Sequence, residues 1–263
     1  MKALISFLLL LVPFGRILPT TVQAQQTASS KEEYRWYVKR NADHLRPELP
    51  REFSFLSDCD AWYCDFHESA DKTIYLTFDA GYENGNIAKI LDVLKAESVS
   101  AAFFVLEHLV TGETALVRRM LDEGHLVCNH TARHKNLSRA SEKAVADELG
   151  RMERVYHDTI GCEISRYYRP PEGAFSESNL QTAKSLGYKT VFWSFAYADW
   201  ANDKQPSPEL ALKKINDNIH PGAVLLLHPT SATNAAIMRE LIVGLREAGY
   251  RFGTLDELTA DKK

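Results

Sequence analysis

From residue 74 to residue 254 the chain alternates short apolar, β-branched runs with longer amphipathic ones, and this alternation limits the possible folds more than composition does. The strand-like runs are 74–78, 101–105, 126–128, 167–169, 190–192, 224–227 and 250–254. Helical stretches at 87–97, 115–123, 142–160, 177–186, 210–219 and 234–248 lie between them. Strands separated by helices pair in parallel, so about seven of them imply an α/β protein whose sheet is most simply closed, or nearly closed, into a (β/α) barrel. The helix punctuation agrees with this division. Ser141 and Ser176 stand at N-cap positions, and Gly187 and Gly249 follow helical stretches where a left-handed C-cap is expected.

What precedes residue 71 does not follow the pattern. Met1 and Lys2 give a positive start, residues 3–14 are apolar, and Val22-Gln23-Ala24 has the small-x-small form of a signal peptidase site. The apolar run is shorter than the ~20 residues of a membrane span. Residues 1–24 therefore read as a signal peptide cleaved after Ala24, so that the body of the protein works outside the cytoplasm without stable membrane insertion. The formal charge of −4 becomes −6 once Lys2 and Arg16 are removed, which argues against nucleic acid or anionic lipid as partner. Residues 25–70 read as an extended segment packed on the domain. Residues 71–260 make one catalytic domain, expected to be a monomer. Cys59, Cys64, Cys128 and Cys162 allow three full pairings; Cys59 and Cys64 are close enough for a local staple, while Cys128 reads as a buried thiol. With no C-x-x-C pair, a zinc site built from them is not expected.

The polar residues that interrupt this pattern gather after strands. Asp79, in Thr77-Phe78-Asp79-Ala80-Gly81, ends the first apolar run, and Gly81 permits a turn there. His130 and His134 follow the third run at metal-ligand spacing, converging either on one helix face or through a turn that leaves the strand at Asn129. Arg169-Pro170-Pro171-Glu172-Gly173 follows the fourth run, and its prolines remove two backbone donors, leaving the Glu172 N–H able to point at a substrate carbonyl. Asp199-Trp200 follows the fifth, and Leu226-Leu227-His228 ends the sixth. Each motif alone could be structural. Five at the C-terminal mouth of one sheet imply a site, and one carboxylate with two imidazoles suggests metal-assisted hydrolysis. No G-x-S-x-G elbow supports a serine hydrolase.

These five motifs, in this order, resemble those of the polysaccharide deacetylases of the NodB-homology class, carbohydrate esterase family four. The resemblance covers about residues 71–258 and implies that family's distorted (β/α) barrel. Thr77-Phe78-Asp79-Ala80-Gly81-Tyr82-Glu83-Asn84-Gly85, the lead-in Trp36-Tyr37-Val38-Lys39-Arg40 and the run from Phe192 to Trp200 look most like the muramic acid deacetylases that make the δ-lactam of spore cortex peptidoglycan. The resemblance implies that Asp79 is the general base, kept ionised by Arg169, and that His228 is the general acid, oriented by Asp199. It further implies that His130 and His134 bind a divalent metal such as zinc, that the Glu172 N–H shares the oxyanion, and that Trp200, Leu226 and Tyr82 line the sugar groove. The partner would be a peptidoglycan glycan strand.

The chain departs from the family at Ala80, where most members carry a second aspartate that binds the metal. A methyl group cannot coordinate, so the ion should be held weakly. Loss of this carboxylate would remove repulsion and free space beside Ala80 for the lactyl carboxylate of N-acetylmuramic acid. Glu172 must then turn its side chain away, and Arg133 and Lys135 are among the cations that could receive the lactyl group. The rival readings are deacetylation of N-acetylglucosamine in peptidoglycan or of chitin oligosaccharides, and a glycan-binding pseudoenzyme in which Ala80 is a lesion.

Overall fold

A computed structural model describes residues 29–40, 43–67 and 72–260, so the expected leader at 1–24 lies outside the described residues. Strand β1 (Tyr34–Arg35), a 3-10 segment (Arg51–Cys59) and β2 (Ala61–Trp62) come first. They are followed by β3 (Thr73–Ala80), α1 (Ile87–Ala96), β4 (Ala102–Val105), α2 (Glu107–Gly112), α3 (Thr114–Asp122), β5 (Leu126–Asn129), α4 (Glu142–Ile160) and β6 (Ser165–Tyr168). A 3-10 turn (Pro171–Gly173) then leads into β7 (Ala174–Phe175), α5 (Glu177–Ser185), β8 (Lys189–Val191) and β9 (Phe195–Ala196). The chain ends with α6 (Pro208–Asn216), β10 (Ala223–Leu227), α7 (Ala232–Glu247), β11 (Arg251–Gly253) and α8 (Leu255–Leu258). Ser141 and Ser176 cap α4 and α5 through their side chains, and Gly187 and Gly249 have φ of 83° and 86° as their positions require.

The main sheet runs β2-β8-β6-β5-β4-β3-β10-β9, with β11 pairing the first residues of β3 and β4 its last. Its strand pairs are parallel. It curls into a half-barrel: Cys64 bridges Ala223, and the Asp65 N–H donates to the Gly222 carbonyl at 2.9 Å, so the chain beyond β2 reaches back to β10 without closing a continuous ladder. The seven expected strands are β3, β4, β5, β6, β8, β10 and β11. Sequence reasoning missed β2 and β9, two residues each at the ends of the sheet, because so short a strand carries no period. It missed α2 for the same reason.

Strand alternation decides what faces the mouth. Along β3, Ile74, Leu76, Phe78 and Ala80 point outward into the largest core cluster, where Ile87, Ile90, Leu91 and Leu94 of α1 and Ile237 and Leu241 of α7 cover them. Each Ile, Leu and Phe among them contributes about 1.5–3 kcal/mol by leaving water. Tyr75 belongs to the inward-facing cluster with Phe104, Cys128 and Val191, and the two-residue period carries Thr77 and Asp79 to that same side, ending at the sheet's open end.

Residues 34–40 and 43–67 pack across one wall. Trp36, Phe53, Leu56 and Tyr63 join Phe175 and Phe192 in a separate aromatic cluster, with Trp36 stacked on Phe192 at 4.4 Å between centroids. Cys59 and Cys64 are separate free thiols, so the expected local staple does not form; β2 runs extended between them and enters the sheet. Cys128 is a buried free thiol, as expected, and Cys162 is exposed. Among the described residues no helix is long and apolar enough to cross a membrane.

Candidate active site

Asp79 sits at the floor of the mouth. Its Oδ1 accepts a hydrogen bond from Arg169 Nη1 at 2.8 Å, and its Oδ2 lies 3.6 Å from His130 Nε2. Arg169 is completely buried, yet every face of its guanidinium is used. Its Nε donates to the Val191 carbonyl at 2.8 Å, its Nη2 to Thr77 Oγ1 at 3.0 Å and to the Phe192 carbonyl at 3.2 Å, and its plane lies 4.1 Å over the Phe104 ring. Burial alone would raise the Asp79 carboxyl, but Arg169, and after it His130 and His228, outweigh burial and hold it below the usual carboxylate value. A mostly buried, ionised carboxylate at the base of a cleft is suited to accept a proton.

The opposite wall carries a second pair. His228 Nδ1 lies 2.7 Å from Asp199 Oδ1, while the His228 backbone N–H donates to Asp199 Oδ2 at 2.8 Å. Asn234 Nδ2 donates to the same Oδ2 at 2.6 Å, and the Tyr197 hydroxyl donates to Asn234 Oδ1. Burial would lower the His228 pKa, but the hydrogen bond and charge of Asp199, helped by Asp79, raise it above the usual imidazole value. An imidazole whose pKa is raised thus stands beside a carboxylate whose pKa is lowered. Tyr197 and Asn234 were not anticipated; a tyrosine near a strand end and an asparagine inside a helix carry no motif.

The two metal-candidate histidines lie in a loop, so the turn rather than the helix brings them together. Thr131 and His134 have φ of 68° and 54°, left-handed values that a non-glycine residue adopts only when its surroundings impose them. Asn129 imposes part of this, accepting from the Thr131 N–H at 2.9 Å while donating to Tyr188 and to the Leu149 carbonyl. Glu148, buried on α4, supplies the rest. It accepts from the Arg133 N–H at 2.9 Å and from Arg133 Nη2 at 2.5 Å, and lies 3.8 Å from Lys135 Nζ, so it grips both neighbours of His134. Arg133 and Lys135, considered above as lactyl-binding cations, are therefore committed to Glu148.

His130 Nδ1 lies 2.8 Å from the Arg169 carbonyl, where it donates, leaving Nε2 with its lone pair toward the cleft. Burial depresses its pKa to about 4, the neutral form that a metal ligand needs. The His134 ring stands 5.1 Å away at 71°. Among the described residues no group of three or more His, Cys, Asp or Glu side chains is arranged to hold a metal ion. The two imidazoles fit an ion only as a pair, the remaining positions falling to water or substrate.

Ala80 corrects an expectation. Its methyl is fully buried in the outward-facing core and does not line the cleft, so no space opens beside it for a lactyl group. Strand alternation explains this: Asp79 faces in, and its neighbour must face out.

The cleft holds about 570 Å³. Trp200, 60% exposed, stands edge-on to His228 at 5.9 Å, and Leu226 lines the same cleft. Tyr82, 46% exposed, accepts from Asn202 Nδ2 at 3.0 Å across the opening. Glu172 has φ of 59°, and its side chain is drawn to Arg35 Nη1 at 2.6 Å. Gly173 beside it has φ of 62°, and a Cβ there would come within 2.9 Å of Trp193 Cη2 and 3.1 Å of Trp36 Cβ. His108, on α2, also faces the cleft and was not foreseen; its one signal in the sequence is that it too follows a strand.

The family model described as polysaccharide deacetylase matches residues 67–191. The chain is 39% identical to the peptidoglycan-N-acetylmuramic acid deacetylase PdaA of Bacillus subtilis over 91% of each chain. The solved structure of that protein, described as a family 4 carbohydrate esterase, superposes with a TM-score of 0.84 over 89% of this chain and all of the other. A family 4 carbohydrate esterase from Bacillus anthracis follows with 35% identity and a TM-score of 0.73 over 88% of this chain and 98% of that one. The peptidoglycan-N-acetylglucosamine deacetylase PgdA of Listeria monocytogenes is 34% identical over 73% of this chain and 40% of its own length.

Proposed function

The chain belongs to the polysaccharide deacetylase family, and on that premise we propose that it hydrolyses the N-acetyl group from N-acetylmuramic acid in peptidoglycan glycan strands. The observation that carries this reading is the pairing across one cleft of a carboxylate held by a buried arginine, Asp79 on Arg169, with an imidazole held by a buried carboxylate, His228 on Asp199. The similarity to PdaA over nearly the full length supports the choice of sugar.

In the proposed reaction Asp79 takes a proton from water as the water adds to the acetamide carbonyl, and the Glu172 backbone N–H donates to the oxygen that gains charge. His228 gives its proton to the nitrogen as the C–N bond breaks, releasing acetate and an amine. Asp199 keeps the imidazolium oriented, and Asn234 and Tyr197 keep Asp199 oriented. Tyr82, Trp200 and Leu226 hold the sugar against this pair. A divalent ion such as zinc, held by His130 and His134, would supply a Lewis acid for the carbonyl when bound. With the Ala80 methyl turned away, the pair of histidines binds it weakly.

The amine freed from muramic acid stands beside the lactyl group on the adjacent carbon, and condensation of the amine with the lactyl carboxyl group, with loss of water, gives the muramic δ-lactam of spore cortex. The protein acts after export, with its leader cleaved behind Ala24, as a monomer on the cell wall. The N-acetylglucosamine reading is supported by the Listeria relative, of which the chain spans less than half. A pseudoenzyme would have no use for two intact charged pairs. Peptide-free strands, digested after treatment, test the proposal: mass analysis should find the acetyl group missing from muramic residues. Loss from glucosamine residues alone would overturn it.

A further inference from the structure

A muramic residue brings a carboxylate into the cleft, fixed covalently close to the acetamide that must meet Asp79. A site that accepts it needs a cation or a charged-group donor facing the same space. The described residues leave few. Arg133 and Lys135 are held by Glu148, Arg35 by Glu172, and Arg169 is sealed beneath Asp79. Arg40 donates to the Ala196 carbonyl and lies 4.8 Å over the Phe195 ring.

We infer that His108 is the residue that reads the lactyl carboxylate, a specificity determinant resting on the muramic reading above. Its exposed ring lines the same cleft as Asp79, on α2 directly after β4, and among the described residues its side chain makes no hydrogen bond or ion pair. Its donor is therefore available to a ligand. Gly81 keeps the approach to it open. A Cβ added there would crowd Leu106 Cδ1 at 3.1 Å and come into ordinary contact with His108 Nε2 at 3.9 Å, so glycine leaves that side of the ring uncovered. Asp79, Gly81 and His108 line one cleft, so a carboxylate beside the His108 ring shares that space with the acetamide that must meet Asp79.

The test compares peptide-free glycan strands carrying the free lactyl carboxylate with the same strands after methyl esterification, which keeps the sugar, removes the charge and adds one methyl group. In the wild-type protein esterification should lower kcat/KM roughly ten- to hundredfold, the usual worth of a hydrogen bond to a charged group. His108→Ala should act on the free acid about as poorly as the wild type acts on the ester, with the two substrates now alike. His108→Arg should restore the preference for the acid, an effect that general damage to α2 would not give. The inference is overturned if the wild type does not distinguish acid from ester, or if His108→Ala keeps the full distinction. A wild type that releases no acetate from muramic residues of either strand would instead defeat the muramic reading itself.

Discussion

Asp199 gives both carboxylate oxygens to one residue: Oδ1 lies 2.7 Å from His228 Nδ1, and Oδ2 accepts the His228 backbone N–H at 2.8 Å. The ring and the main chain of the proposed acid are thus fixed by a single side chain, buried and held in turn by Asn234. Removal of His228 by His228→Ala should cost a factor of roughly 10² to 10⁴ in kcat, and Asp199→Asn should cost part of that. Because the two act as a unit, the double variant should be little worse than His228→Ala. Strict additivity in a double-mutant cycle would show that they act separately.

The same pair sets a pH dependence. As the proposed general acid His228 must be protonated to act, and its pKa is raised, so activity should hold from the pH at which Asp79 ionises, below the usual carboxylate value, up to the His228 pKa, and fall as pH rises through it, above the usual imidazole range. The charged groups facing the ring are Asp199, Asp79 and Arg169, the first two raising the pKa and the third lowering it. Asp199→Asn removes the strongest of the raising influences. The basic limb of its kcat/KM profile should move to lower pH, and an unmoved limb would mean that another group titrates there.

Glu148 reaches both residues that flank His134 from α4, the helix whose Leu149 carbonyl also accepts from Asn129. Glu148→Ala leaves the Arg133 N–H without its buried acceptor and should lower stability by about 1–3 kcal/mol in denaturant titrations. The loop should open more often, read as faster amide exchange at residues 131–135, and zinc affinity measured by calorimetry should fall. Unchanged exchange in this loop would place its rigidity elsewhere.

Ala80 is enclosed among apolar side chains, so Ala80→Asp should bury a carboxylate without a ready partner. A loss of stability of several kcal/mol follows, seen as a lower melting temperature in the metal-free protein. A variant that melts no lower would show that the carboxylate reaches the histidines after all.

Much of this arrangement was legible because strand ends announce themselves. The β3 run carries alternation strong enough to place Asp79 inside, and the same rule, applied one residue further, would have turned Ala80 away from the cleft. Arg169, His130, His134 and His228 were found because each follows a strand. Their partners were not. Asn129, Glu148, Asn234 and Tyr197 act through contacts across the sheet, tens of residues apart in some cases, and no local pattern marks a side chain for a distant hydrogen bond. The left-handed turns at Thr131 and His134 were equally hidden, since they are imposed by tertiary contacts and not by residue type.

The most direct measurement is of Asp79→Asn on peptide-free glycan strands, with kcat and strand affinity determined on the same preparation. The amide keeps the shape of the side chain and can still meet Arg169, but it cannot take a proton from water. The expected result is a kcat below about a hundredth of wild type with strand affinity within a few-fold. Retention of more than about a tenth of wild-type kcat would remove Asp79 from the role of base and, with it, the account of two opposed pairs across the cleft.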